Sequence, residues 1–281
     1  MPTEQDLKEI VRQKYSEIAL QDKGTNQSSC CGSTGCSTEV YNIMSDDYSA
    51  LNGYNADADL GLGCGLPTEF ANIEEGDTVI DLGSGAGNDC FIARSAVGEK
   101  GKVIGIDFTP VMIERARQNA ETRGFNNVEF RQGDIENIPV SKNSADVVVS
   151  NCVLNLVPNK VKVFQEIFKV LKSDGHFCIS DIVLVGELPA NIKNAAEMYA
   201  GCVAGAIQRK DYLRLIEDSG FMGVRVRKEK KIIIPDDILS KYLSNDEITA
   251  YKESGSGIYS ITVYAEVSCC GPDALTCFKT C

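Results

Sequence analysis

The most unusual feature of this sequence is its number of cysteines. The 281-residue chain carries twelve cysteines but a single histidine, His176. A site for a soft ion must therefore be built from thiolates, which favour soft metals and metalloids. Domains held together by disulfides are usually shorter than this chain and are secreted. The first residues here, MPTEQDLKEI, are charged and polar, so we expect neither a signal peptide nor a transit peptide. We expect a cytoplasmic chain whose reduced thiols serve metal, metalloid or redox chemistry.

Three carboxylates form a second set of candidate functional residues. Asp81, Asp107 and Asp134 each fall where a predicted strand ends. In a doubly wound sheet, the carboxyl ends of the strands form the ligand crevice. Asp107 is placed to accept hydrogen bonds from both hydroxyls of a ribose, and Asp134 to accept one from the exocyclic amine of a base, beside Ile135. Single carboxylates at such positions are often helix caps, so the prediction depends on all three occurring with a glycine turn.

The glycine turn lies within VIDLGSGAGNDCF, residues 79–91. A buried strand is followed by Gly83, Gly85 and Gly87 and then by a helix, which is how an α/β sheet brings backbone N–H groups to a ligand. The third glycine comes one position early for the dinucleotide pattern, and Asp81 before the turn would repel a pyrophosphate. A carboxylate there suits an ammonium or sulfonium group. Because S-adenosylmethionine carries both groups and no phosphate, it is the predicted cofactor.

Alternating strands and helices surround this turn. Strands are predicted at 78–81, 102–107, 128–132, 145–150 and 177–185, and helices at 67–71, 88–97, 110–123 and 160–171. This alternation predicts an α/β fold with a doubly wound, Rossmann-like parallel sheet. A smaller carboxyl-terminal α+β region is predicted to have helices at 190–204 and 210–219 and strands within 224–234 and 259–267. An amphipathic helix at 4–20, capped by Thr3 and Asp6, precedes the sheet.

Composition divides the chain into four predicted parts. They are a helix with a mobile cysteine-containing segment (1–38), a cofactor-binding domain with its entry segment (39–185), a substrate-binding α+β region (186–267) and a flexible cysteine-rich tail (268–281). The net charge of −12 disfavours nucleic acids and anionic membranes as partners, because both bind basic patches. No apolar run is long enough to span a bilayer. Nothing in the sequence requires more than a monomer.

Several motifs together resemble one protein family. VIDLGSGAGNDCF, GIDFTPVMIERA, GDIENIPV and SNCVLNLVPNK are similar to the class I S-adenosylmethionine-dependent methyltransferases, and LGLGCGLP, SNCVLNLV and YAGCVAGA resemble their arsenite methyltransferase branch. The resemblance extends from about Tyr15 to the end of the chain. It implies transfer of a methyl group to trivalent arsenic, or arsenite, bound by Cys64, Cys152 and Cys202. The products would be methylated arsenicals, formed for detoxification.

Arsenic chemistry agrees with these residue types. Three thiolates hold soft trivalent arsenic and leave its lone pair free as the nucleophile, so no histidine or carboxylate base is required. The resemblance also implies that an amino-terminal cysteine pairs with Cys64 after methyl transfer, and thioredoxin or glutathione would then reduce the disulfide. We include Cys31 in the predicted catalytic set together with Cys64, Cys152 and Cys202. The residue that pairs with Cys64 stays open among three candidates: Cys30, Cys31 and Cys36.

The other predicted residues follow from their positions. The predicted cofactor-binding set comprises the strand ends and the segments that follow them: Asp81, Gly83, Ser84, Gly85, Gly87, Asp107, Phe108, Met112, Asp134, Ile135 and Asn151. We predict no structural metal, because the tail cysteines lack the paired C-x-x-C spacing of zinc sites: Cys269, Cys270, Cys277 and Cys281. Cys90 and Cys178 are predicted to be buried and inert.

Two other functions fit parts of the sequence. One is a methyltransferase for another small acceptor, in which the cysteines serve redox regulation. Hydroxyl and amine acceptors generally need a base near the methyl group, and none is evident. The other is a thiol-rich metalloid chaperone or sensor, which would leave the nucleoside site without a purpose. The sequence leaves open the number of methyl groups added, the oxidation state of the released product and the use of antimonite.

Overall fold

A computed structural model describes residues 3–21, 46–192, 203 and 205–267. The cysteines of the amino-terminal segment and the tail lie outside these residues, as do Cys202 and most of the helix predicted at 190–204. Within the described ranges, no helix is both long and apolar enough to cross a membrane.

One mixed sheet organises the described part of the chain, with strand order β3-β2-β1-β4-β5-β7-β6. Its strands are β1 (Thr78–Leu82), β2 (Lys102–Asp107), β3 (Val128–Gln132), β4 (Ala145–Asn151), β5 (Leu171–Val185), β6 (Phe221–Ile232) and β7 (Gly257–Val267). β1 to β5 run parallel, and β7 lies antiparallel between β5 and β6. The predicted α/β fold with a Rossmann-like parallel sheet is confirmed, and the two carboxyl-terminal strands extend the same sheet.

Helices cover both faces of the sheet. They are α1 (Glu4–Ala19), α2 (Pro67–Phe70), α3 (Asn88–Val97), α4 (Pro110–Thr122), α5 (Lys160–Val170), α6 (Arg209–Asp218), α7 (Asp236–Leu239) and α8 (Asn245–Glu253). One large apolar cluster contains residues of α5 and α6, and a second contains residues of α1, α3 and α4. With both faces covered, the carboxyl edge of the parallel strands is the place for a polar ligand.

The observed elements confirm most sequence predictions, and the exceptions have local causes. The capping box of Thr3 and Asp6 is present at the start of α1. β5 begins at Leu171, directly after α5, and not at Phe177 as predicted. Its register with β4 shifts between Ala145 and Val147, and Asp174 in the inserted segment is left-handed (φ 69°). Sequence periodicity does not predict α8, although Ser244 and Glu247 form a capping box at its start.

A buried polar cluster lies in the core under α5 and α6. Asp181 on β5 is fully buried, and its carboxylate accepts hydrogen bonds from the Tyr212 hydroxyl (3.3 Å) and the Ile182 N–H (3.1 Å). Burial raises the pKa of Asp181 to about 7, and the nearby charge of Lys160 opposes that increase. Burial in turn lowers the pKa of Lys160. The protonation of Asp181 therefore changes near neutral pH.

This cluster should make stability depend on pH. The pKa of Asp181 is higher in the folded than in the unfolded state, so between about pH 4 and pH 7 the folded state binds more protons than the unfolded state. The free energy of unfolding therefore falls as the pH rises through this window. As the pH rises from about 5 to about 8, we expect the Tm of Asp181→Asn to fall less than the Tm of the wild type. Thermal unfolding across this range is the measurement.

The matched control for this prediction is Asp174→Asn, an exposed position on the same strand. It should reproduce the wild-type pH dependence. Parallel stability curves for the wild type and Asp181→Asn would contradict the assignment.

Candidate active site

A cavity opens at the carboxyl edge of the parallel strands. Ten of the eleven predicted cofactor-binding residues line it: Asp81, Gly83, Ser84, Gly85, Asp107, Phe108, Met112, Asp134, Ile135 and Asn151. Cys152 lies on the same wall. The structure thus brings the residues predicted to bind the methyl donor and one residue predicted to bind arsenic into a single site.

Close contacts shape the glycine turn after β1. Gly83, Gly85 and Gly87 all adopt left-handed backbone angles, with φ of 71°, 51° and 98°. A Cβ on Gly83 would lie 2.3 Å from a methyl carbon of Val153, and one on Gly87 would lie 2.8 Å from the Phe130 ring. Gly87 does not line the cavity, so its contribution is to shape the turn and the start of α3.

Asp107 is held at the end of β2 by backbone donors. Its Oδ2 accepts the N–H of Gly85 (3.0 Å), and its Oδ1 accepts the N–H of Thr109 (2.8 Å). Lone pairs remain on both oxygens for a pair of ribose hydroxyls. Burial raises the pKa of Asp107, and the two backbone donors oppose that increase. The nearby Ser84 hydroxyl is buried without a hydrogen-bond partner among the described residues, which suits a polar ligand.

Toward β1 and β4, the cavity wall is rich in carboxylates. Asp59 and Asp81 are almost fully buried, and Asp89 joins them from the start of α3. Burial raises the pKa of Asp81 well above its usual value, and repulsion from Asp89 adds to the increase; burial also raises the pKa of Asp89 to about 6. Lys8 is the one basic residue among the described residues of the lining. This wall favours a positively charged ligand, and the ammonium and sulfonium groups of S-adenosylmethionine fit it.

Cys64 lies in a loop that is clamped against the sheet. Its N–H donates to Oδ1 of Asn151 (3.1 Å), and its carbonyl oxygen accepts the hydroxyl of Ser260 on β7 (2.5 Å). A Cβ on Gly63 would lie 2.8 Å from Asn151 Nδ2, and one on Gly65 would lie 2.5 Å from a serine hydroxyl on β5. Glycine on both sides of the cysteine therefore lets the loop pack this closely.

Cys152 follows β4 in a left-handed conformation. Its φ of 58° is strained for a residue with a side chain, at a cost of about 1–3 kcal/mol, and its N–H is held by the carbonyl oxygen of Ser180 (2.8 Å). Its sulfur is bonded to that of Cys64, with the two Cα atoms 5.8 Å apart. Two predicted arsenic ligands, 88 residues apart in the chain, thus meet. Arsenic can bind both sulfurs only after this disulfide is reduced.

The observed disulfide differs from the pairing that the family resemblance implies, in which Cys64 pairs with an amino-terminal cysteine. That pairing stays a prediction, because its candidates lie outside the described residues: Cys30, Cys31 and Cys36. Cys202 also lies outside them. Val203, the next residue along the chain, is described and packs in the same apolar cluster as Cys64 and Cys152.

The two cysteines predicted to be inert are both buried, but their contacts differ. Cys178 lies in the sheet core, where burial raises its pKa to about 12. The thiol of Cys90 on α3 instead donates to Oδ2 of Asp81 (3.2 Å). Burial and the adjacent carboxylate raise the pKa of Cys90 well above its usual value, so the thiol remains a donor. Sequence reasoning missed this contact, although Cys90 lies in the first turn of the helix that follows Asp81.

Sequence reasoning also missed Tyr48 and Asp89 on the cavity wall. The Tyr48 hydroxyl lies 2.9 Å from the carbonyl oxygen of Gly65 and 3.1 Å from Oδ2 of Asp89, and it also contacts Nδ2 of Asn151. Asn151 Nδ2 donates to the same Gly65 oxygen (2.8 Å) and to Asp89 (3.3 Å). Asp89 had a local signal, since it lies two residues after Gly87, in the first turn of α3. Tyr48 had none.

The fold and the cavity define a class I S-adenosylmethionine-dependent methyltransferase, with the Rossmann-like sheet of that class. A family model described as a methyltransferase domain matches residues 73–220. The solved structure of YcgJ from Bacillus subtilis is 19% identical and has the same fold, with a TM-score of 0.60 over 73% of this chain and 97% of that one.

Closer relatives identify one branch of this class. An arsenite methyltransferase from Halobacterium salinarum is 39% identical over 274 residues, which cover 93% of this chain and 66% of the relative. An arsenite methyltransferase from Aquipseudomonas alcaligenes is 30% identical over 246 residues, which cover 85% of this chain and 69% of the relative. The structure of an arsenic(III) S-adenosylmethionine methyltransferase from Chlamydomonas reinhardtii is 35% identical, with a TM-score of 0.61 over 72% of this chain and 66% of that one. This chain belongs to the arsenite methyltransferase family and spans about two thirds of the length of these relatives.

The hydrogen bond from Cys90 should affect cofactor binding. Cys90→Ala removes the donor that orients Asp81. We expect the Kd for S-adenosylhomocysteine to rise by about two- to tenfold, which corresponds to the net free energy of one hydrogen bond. Cys90→Ser keeps a donor and should bind more tightly than Cys90→Ala. Isothermal titration calorimetry on the reduced protein is the measurement. Cys178→Ala controls for the loss of a buried thiol outside the cavity, and equal affinity in all four proteins would disprove the role of Cys90.

Proposed function

We propose that this chain transfers the methyl group of S-adenosylmethionine to trivalent arsenic held by Cys64, Cys152 and Cys202. The proposal is carried by one observation, which is that the sulfur atoms of Cys64 and Cys152 meet beside the wall of the cofactor cavity. Membership of the arsenite methyltransferase family supports arsenic as the acceptor. Val203, the residue after Cys202, belongs to the same apolar cluster as both cysteines, which supports Cys202 as the third ligand.

Methyl transfer needs little more than correct positioning. The arsenic lone pair attacks the methyl carbon in line with its bond to the sulfonium sulfur. An arsenic–carbon bond forms, the carbon–sulfur bond breaks, and its electron pair stays on the sulfur of S-adenosylhomocysteine. The nucleophile loses no proton, so no general base is required. Holding the two reacting atoms in contact contributes about 7–11 kcal/mol in well-oriented reactions.

A redox step follows from the electron count. Methylation raises arsenic formally from the trivalent to the pentavalent state, and two thiolates can return the two electrons by forming a disulfide. The Cys64–Cys152 disulfide supports such a step for this pair, and the family resemblance implies Cys64 with an amino-terminal cysteine. A thiol reductant such as thioredoxin or glutathione would then restore the thiolates. We further propose that the chain acts as a monomer in the cytoplasm, with arsenite as substrate and methylated arsenicals as products.

Cys152 gives the sharpest mutational test of this function. Reduced protein is incubated with arsenite, a thiol and methyl-labelled S-adenosylmethionine, and the labelled arsenicals are separated and counted. We expect Cys152→Ser to lose methylation because arsenic loses a thiolate ligand, while its affinity for S-adenosylhomocysteine stays close to that of the wild type. Cys178→Ala should remain active. Normal turnover by Cys152→Ser would remove Cys152 from the mechanism.

The same assay with wild-type protein separates the alternative functions. Labelled arsenicals are expected if arsenic is the acceptor. Arsenic that binds without any labelled product would indicate a metalloid chaperone or sensor, and label on a different small molecule would indicate another acceptor.

The redox step predicts a specific disulfide after one turnover. When the reductant is left out and free thiols are alkylated, mass spectrometry should find Cys64 in a disulfide, formed in proportion to the methylated arsenic. The partner observed, Cys152 or an amino-terminal cysteine, identifies the electron donor. Alkylated Cys64 after a complete turnover would contradict this step.

A further inference from the structure

The helix α1 precedes the matched methyltransferase domain, yet it forms part of the cofactor cavity. Lys8, Val11 and Tyr15 line the cavity together with residues from the strand ends. Their spacing of three and four residues places them on one face of α1. The carboxyl end of the helix is fixed on α4, where Nη1 of Arg115 donates to the carbonyl oxygens of Ala19 and of a residue just beyond it, at 2.7 Å each.

Lys8 provides the polar contact between α1 and the strand ends. Its ammonium group donates to Oδ2 of Asp134 (2.7 Å) and to the carboxylate of Glu136. The Glu136 side chain is only 6% exposed, so solvent screens this pair less than it would a surface pair. Burial alone would lower the pKa of Lys8, but the hydrogen bonds to the two carboxylates outweigh it and raise the pKa. Lys8 therefore remains charged at neutral pH.

This contact fixes the orientation of Asp134. Its Oδ1 accepts the N–H of Glu136 (2.9 Å), and its Oδ2 accepts the ammonium of Lys8. A carboxylate oxygen can accept a further hydrogen bond, so the same group remains available to the exocyclic amine of adenine. The Asp134 side chain is 42% exposed, and without Lys8 it would lose the donor that holds Oδ2 in place.

We propose that α1 is the outer wall of the cofactor site and that Lys8 is a positioning residue, which fixes this wall and Asp134 around the nucleoside. Because α1 lines one side of the cavity, loss of the Lys8 ion pairs should loosen this wall and weaken the binding of the cofactor. The inference rests on the S-adenosylmethionine binding of the proposed function and does not depend on arsenic as the acceptor.

Binding of S-adenosylhomocysteine to the full-length, reduced protein tests the proposal without arsenic. Lys8→Met keeps the aliphatic stem and removes the charge, and we expect its Kd to rise by about fivefold or more, mainly through faster release in a rapid-mixing experiment. Lys8→Arg can still reach both carboxylates and should stay within about twofold of the wild type. Arg12→Met is the matched control, because Arg12 lies on the same helix but pairs with Glu9, and both side chains are 45% exposed.

Limited trypsin digestion provides a second measurement, since α1 contains Lys8, Arg12 and Lys14. S-adenosylhomocysteine should slow cleavage at Arg12 and Lys14 in the wild type, and should slow it less in Lys8→Met. A wild-type Kd and wild-type protection in Lys8→Met would overturn the proposal, and so would a lower Tm accompanied by an unchanged Kd. Failure to detect methylated arsenicals would count against the proposed function and leave these binding results unaffected.

Discussion

The side-chain amide of Asn151 joins the two halves of the site. From the end of β4, its Oδ1 accepts the N–H of Cys64, while its Nδ2 donates to the carbonyl oxygen of Gly65 and to Asp89. One side chain thus sets the position of the sulfur-bearing loop relative to the carboxylate wall of the cavity. An unsatisfied buried donor or acceptor costs about 1–3 kcal/mol, which opposes movement of the loop away from β4. Cys152 follows Asn151 directly, so the strand end that holds the first sulfur also carries the second.

The sheet supports both strain and unfavourable charge at this edge. β1 and β4 are central strands paired on both sides, and their ends carry the left-handed turns at Gly83 and Cys152. Only Cys152 is strained in this conformation, and such strain persists where the surrounding structure fixes the backbone, as the hydrogen bond to Ser180 does here. The carboxylates of Asp81 and Asp89 are buried close to one another. Their pKa values are raised because the ionised form is unfavourable in this buried, negatively charged environment. A cationic ligand relieves that cost, so binding of the methyl donor should also stabilise the fold.

The parallel half of the fold could be predicted because its signals are local. Continuous apolar runs and the glycine turn locate β2, β3 and α3 to the residue, and a proline in the first helical turn locates the start of α4. The missed features depend on packing between distant segments. The contact of Cys90 with Asp81 depends on how α3 docks on the sheet, where Gly105 leaves room for the sulfur: a Cβ there would lie 2.8 Å from it. Tyr48 and Lys8 reach partners 103 and 126 residues away, and no local pattern encodes those contacts.

The central claim is that thiolates at the edge of the methyl-donor cavity hold the acceptor as trivalent arsenic. Arsenic K-edge X-ray absorption of the reduced protein, loaded with one equivalent of arsenite in the presence of S-adenosylhomocysteine, tests it most directly. We expect three sulfur neighbours in the wild type and fewer in Cys64→Ser and in Cys152→Ser. An oxygen-only shell in the wild type, or an unchanged sulfur shell in both variants, would contradict it.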